Sequence, residues 1–153
     1  MAVIFYMWIN IITFLIYSYL GATLEHLSYY FSNRKKLLAN PIITGFPIYG
    51  LGAHLIIYLH EWLNQYTTHQ LAHFMAYGAI ASIFEYMIGW WVGAGRQSRD
   101  RQGNVVSWDY TNEPYNLHGL ASLRHFVSWG LLGLVLVRVH QQLVMFLHGC
   151  QLI

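Results

Sequence analysis

The chain has 153 residues, of which 56% are hydrophobic, 17% aromatic and only 9% charged. That leaves too little polar surface to cover a water-soluble body. The formal charge of +2, with no stripe of Lys or Arg, argues against a nucleic-acid partner. Cys150 is the single cysteine, so no intrachain disulfide is possible.

Four apolar runs approach the ~20 residues that cross ~30 Å of hydrocarbon. The first, from about Val3 to Glu25, lacks the basic flank of a cleaved signal and is expected to be a retained helix. Arg34, Lys35 and Lys36 close it. The second covers Ile42 to Leu63. Pro41, Gly45, Pro47, Gly50 and Gly52 in its first half predict a bent, broken or late-starting helix. The third spans Leu71 to Ala94 and is followed by "GRQSRDRQGN". The fourth runs from Leu120 to Val139, and the tail "HQQLVMFLHGCQLI" reads as a short amphipathic segment on the surface. The expected fold is all-α: a single transmembrane domain over residues 1–153, built as a four-helix bundle.

Six basic residues (Arg34, Lys35, Lys36, Arg96, Arg99, Arg101) fall in the first and third loops, against Arg138 near the other surface. The positive-inside rule then places those loops in the cytoplasm and both termini outside, in the plasma (inner) membrane.

In the third helix, Gly78, Ser82, Glu85, Gly89 and Gly93 recur at steps of four and three, on one face. Such a stripe lets a second helix approach closely. Glu85 lies in it, and an ionised acid at mid-membrane costs on the order of 2.5–3.5 kcal/mol, so such acids are usually paired or functional. Ser18, Gly21, Ala22 and Glu25 repeat the pattern in the first helix. Arg124 and His125 open the fourth. Glu25, Glu85, Asp109 and Arg124 can therefore converge near the cytoplasmic leaflet. The alternative is that these charges snorkel separately to the headgroups.

Between the third and fourth helices lies "SWDYTNEPYNLHG". Trp108, Tyr110 and Tyr115 suit the headgroup region, whereas Pro114 and the asparagines resist a regular helix. The segment reads as an interfacial Trp-Asp-Tyr cap before the last helix, or as a plain interfacial turn. Of the nine histidines, His69 and His73 have metal-ligand spacing and His60 precedes Glu61 on the same side. Without a fixed third ligand they read as interfacial histidines, so no metal and no cofactor is expected. No Gly-x4-Gly-Lys-Ser/Thr or Gly-x-Ser-x-Gly is present.

"GATLEHLSYYF", "PIYG", "FEYMIGWW", "WDYTNEPYNLHG" and "SWGLLG", in that order, resemble the signature blocks of the CmpB-like ABC-transporter permease family, small membrane proteins with eukaryotic four-helix relatives. The resemblance covers about Leu20 to Gly133. It marks Glu25, Tyr49, Gly50, Glu85, Trp108, Asp109, Tyr110, Asn116, Gly119 and Trp129 as motif residues. It implies a multi-pass, permease-type membrane component that self-associates or joins another membrane subunit, with a separate ATPase. Two alternatives stay open: an intramembrane enzyme acting on a lipid headgroup, and a non-catalytic scaffold. No established catalytic motif favours the enzyme.

Overall fold

The computed structural model describes residues 2–31, 46–97, 103 and 108–149. Arg34, Lys35, Lys36, Arg99, Arg101 and Cys150 lie outside them, as does the start expected for the second helix at Ile42. The chain is mostly helical, and the described residues form four α-helices: α1 (Ala2–Phe31), α2 (Phe46–Leu63), α3 (Gln70–Val92) and α4 (Leu123–Gly149). A 3-10 turn (Gly95–Gln97) follows α3, and a two-stranded antiparallel hairpin, β1 (Asn116–Leu117) with β2 (Ala121–Ser122), precedes α4.

Among the described residues, three segments are long and apolar enough to cross a membrane: Met7–Glu25, Gln70–Val92 and Leu123–Gly149. Helix α2 is not among them. It carries His54, His60 and Glu61 within its 18 residues, which lowers its apolar character. Of the bent, broken or late-starting helix expected here, a break is not found among the described residues: Gly50 and Gly52 lie inside continuous helix. A Cβ on Gly50 would overlap Ser18 Oγ of α1. The glycine thus serves close helix approach rather than a bend.

Helix α4 also departs from expectation at both ends. It starts at Leu123, because Ala121 and Ser122 are taken by strand pairing with Leu117 and Asn116. Ser122 Oγ accepts the backbone N–H of His125 at 3.3 Å, a side-chain N-cap. At the other end, helix continues through the supposed surface tail to Gly149. No proline interrupts this stretch, and Leu143 and Leu147 fall on its inward face, Leu147 being buried.

Close packing is greatest within two pairs, α1 with α2 and α3 with α4. Two apolar clusters join the pairs. One gathers Tyr17, Ala53 and Ile57 with Leu136 and Leu143, and the other gathers Ile56, Tyr77 and Val137 with Leu63 and Ile80. Large apolar side chains also cover the outside, Trp90 and Trp91 being 70% and 80% exposed. A surface of this kind is matched to lipid rather than to water.

Candidate functional site

The small-residue stripe of α3 is an interface. A Cβ on Gly78 would lie 2.7 Å from the Phe126 carbonyl oxygen of α4, and one on Gly89 would lie 3.0 Å from the Trp108 ring. Reciprocally, Gly130 and Gly133 of α4 face Phe74 and Tyr77. Gly93, at φ 72°, ends α3 in the left-handed conformation. The chain then returns through Gly95, whose N–H donates to the Trp108 carbonyl at 2.9 Å.

Glu85 sits in this interface and is held from two sides. The Tyr110 hydroxyl donates to Oε1 at 2.8 Å, and the Trp129 indole N–H donates to Oε2 at 3.2 Å. One donor comes from the polar segment and the other from α4, so the carboxylate ties both to α3. Hydrogen bonds of this kind give a carboxyl inside the protein what water would otherwise supply. Glu25 of α1 and Glu113 of the segment both lie within electrostatic reach of Glu85.

Asp109 has a local task. Its Oδ1 accepts the backbone N–H of Thr111 at 3.0 Å and the Thr111 hydroxyl, an Asx turn that starts the segment. The Tyr110 N–H then donates to the Gly119 carbonyl at 2.9 Å. Asn116 closes the loop from inside: its Nδ2 donates to the Glu113 carbonyl at 2.8 Å, and its Oδ1 accepts the Gly119 N–H at 2.9 Å. His118 and Gly119 both have positive φ (55° and 71°), and the Leu120 N–H donates to the Leu117 carbonyl at 2.9 Å. This is the geometry of a tight hairpin turn with both central residues left-handed. The Trp108 indole N–H donates to the Leu120 carbonyl at 3.1 Å and locks the segment to the hairpin.

Arg124 does not join Glu85. Its guanidinium pairs with Glu113 at 3.8 Å, and its side chain is 79% exposed. Glu113 also accepts the Ser122 hydroxyl at 2.6 Å and lies 3.3 Å from His125 Nδ1. The His125 ring stacks on Tyr110 with centroids 3.9 Å apart and planes 19° apart. The four residues expected to converge (Glu25, Glu85, Asp109, Arg124) thus do not meet at one point: Asp109 turns to Thr111, and the anion beside Arg124 is Glu113, not Asp109. Glu113 escaped the sequence reading because only the hairpin brings it back against the start of α4. The turn pair His118–Gly119 was the available signal.

The other motif residues have packing roles. A Cβ on Gly21 of α1 would overlap the Tyr49 ring of α2, and Gly50 meets Phe14 and Ser18 one step on. Ser18 Oγ is buried there without a hydrogen-bond partner among the described residues.

At the opposite end of the helices, His73 does not pair with His69. Its Nδ1 lies 3.3 Å from His60 Nδ1 of α2, and the Tyr77 hydroxyl lies 2.6 Å from His60 Nδ1 and 2.8 Å from His73 Nδ1. The Thr67 carbonyl, 2.9 Å from His73 Nε2, fixes the proton on that nitrogen. Tyr77 then donates to His73 and accepts from His60, so the network is satisfied as it stands. Among the described residues, no group of three His, Cys, Asp or Glu is placed to hold a metal ion.

Residues 12–150 match the sequence model of a family described as "Putative ABC-transporter type IV" (CmpB). No curated protein and no solved structure gives a match.

Proposed function

Because the chain belongs to the CmpB family, described as "Putative ABC-transporter type IV", we propose that it is the membrane-embedded, permease-type component of a transport system. The observation that carries the reading is Glu85. It lies within a segment apolar enough to cross a membrane, at a helix–helix interface, with Tyr110 and Trp129 donating to its two oxygens and Glu25 nearby. Ionisable groups so placed mark solute or ion pathways in membrane proteins. In this reading Glu85 and Glu25 are the acids that line the route.

The sequence carries no nucleotide-binding P-loop, so ATP hydrolysis belongs to a separate subunit. Four helices are few for a translocation route, so the route is completed by a second copy or another membrane subunit. In this reading the shortest helix, α2, crosses together with the three longer ones, so the protein is multi-pass in the plasma (inner) membrane, with its basic loops in the cytoplasm and its termini outside.

The test is reconstitution in lipid with an ATP-binding subunit that co-purifies from native membranes. The chain is expected to change that subunit's ATP turnover, and Glu85→Gln to abolish the change. Turnover of lipid headgroups by the purified chain alone, with ATP hydrolysis unaffected, would overturn the transport reading in favour of an enzyme.

A further inference from the structure

A cleft of about 390 Å³ opens where α3 ends, between the helix and the polar hairpin. Its walls include Trp90, Leu120, Thr111, Asn116, Arg96 and His118. Thr111 and Asn116 are engaged within the hairpin, the first with Asp109 and the second with the Glu113 and Gly119 backbone. The two remaining polar groups are a cation and an imidazole. Arg96 has no carboxylate partner among the described residues, and no acid lines the cleft. His118 Nδ1 lies 2.8 Å from the Tyr86 hydroxyl; with that hydroxyl donating, Nε2 carries the proton and is a donor. Beside these donors, Trp90 is 70% exposed at the last turn of a membrane-length segment, Gln70–Val92.

The chemistry is therefore that of an oxyanion with an apolar body: guanidinium and imidazole donors on one side, an indole and a leucine on the other. Its position, just beyond the end of an apolar span, is the depth of phospholipid phosphates. We propose that this cleft binds the phosphate of an anionic phospholipid, with Arg96 as the main donor and His118 as the second. The lipid is a resident ligand, and the proposal is independent of what the chain transports.

The probe is spin-labelled phosphatidic acid, compared with spin-labelled phosphatidylcholine, on the full chain reconstituted in phosphatidylcholine vesicles. Phosphatidic acid is expected to associate about tenfold more strongly, the factor that one charge-assisted hydrogen bond supplies. Arg96→Gln should remove most of the preference and His118→Ala part of it, while Arg138→Gln, an exposed position on α4, should leave it intact. Equal association of the two lipids with the wild-type chain overturns the proposal. So does a preference that survives both Arg96→Gln and His118→Ala. Displacement of phosphatidic acid by millimolar inorganic phosphate would show a site for free phosphate rather than for lipid.

Discussion

Tyr110, in the segment between α3 and α4, donates its hydroxyl to Glu85 in α3 at 2.8 Å, while its ring stacks on His125 of α4. Trp129 supplies a second donor to the same carboxyl. An amide can reproduce this arrangement, with its oxygen accepting from Trp129 and its NH2 donating to the Tyr110 oxygen. Glu85→Gln is therefore expected to melt in detergent within about 1 kcal/mol of wild type, whereas Glu85→Ala, which strands both donors, should lose about 2–3 kcal/mol. Equal losses for the two variants would show that the hydrogen bonds do not hold the interface.

The α3 stripe gives a sharper contrast. A side chain at Gly89 meets the Trp108 ring at 3.0 Å and Leu120 at 3.2 Å. Gly89→Leu should destabilise by about 1–3 kcal/mol through overpacking, and Ile88→Leu by less than about 1.5 kcal/mol. Thermal melting of the two purified variants makes the comparison.

Gly119 is held at φ 71° with the Thr111 methyl 2.7 Å from where a Cβ would stand. Gly119→Ala combines backbone strain with a clash and should cost about 1–3 kcal/mol. The hairpin is the part that should loosen first, visible as faster amide exchange at Leu120, whose N–H closes the turn.

Sequence reasoning alone would assign Arg124→Leu a loss of a few kcal/mol, on the premise that it neutralises buried acids. With the guanidinium 79% exposed and 3.8 Å from Glu113, the pair is a surface ion pair worth less than about 1 kcal/mol. A melting shift beyond that range would place Arg124 in a drier environment than its exposure indicates.

Topology is tested by labelling. Single cysteines at Lys35 and Arg99 should react with an impermeant thiol reagent only after the membrane is opened. One at Tyr66, in the turn after α2 and 70% exposed, should react in intact cells. The reverse pattern would invert the proposed orientation.

The helices and the α3 interface were legible in the sequence because both rest on periodicity: apolar runs of spanning length, and small residues at steps of three and four. The site was legible only where a residue acts within its own helix face. Glu85 was found by its place in the stripe, but its donors come from Tyr110 and Trp129, 25 and 44 residues away. The exchange of Asp109 for Glu113 as the partner of Arg124 has the same origin. Asp109 spends Oδ1 on Thr111 two residues along, and a two-residue strand pair is too short to leave an alternating signal. The α4 tail was misjudged for a related reason. Leu143 and Leu147 keep its inward face apolar, but the polar residues on either side of them (His140, Gln141, Gln142 and His148) hide that face in a linear reading.

The hairpin behaves as a rivet through the α3–α4 pair. Tyr110 engages Glu85 on one helix and His125 on the other, and the Gly78 and Gly130 contacts leave no room for one helix to ratchet past its neighbour. A slide of one turn would break both Tyr110 contacts together and drive backbone into ring. The α1–α2 pair is interlocked in its own way, through Gly21 against Tyr49 and Gly50 against Ser18. The seam between the two pairs, lined by Ile56, Tyr77, Val137 and Leu136, lacks such glycine contacts and is tied instead by hydrogen bonds, His60 with Tyr77 at 2.6 Å and Tyr17 with His140 at 3.0 Å. A rocking motion of one pair against the other about these bonds would leave the riveted pair unchanged.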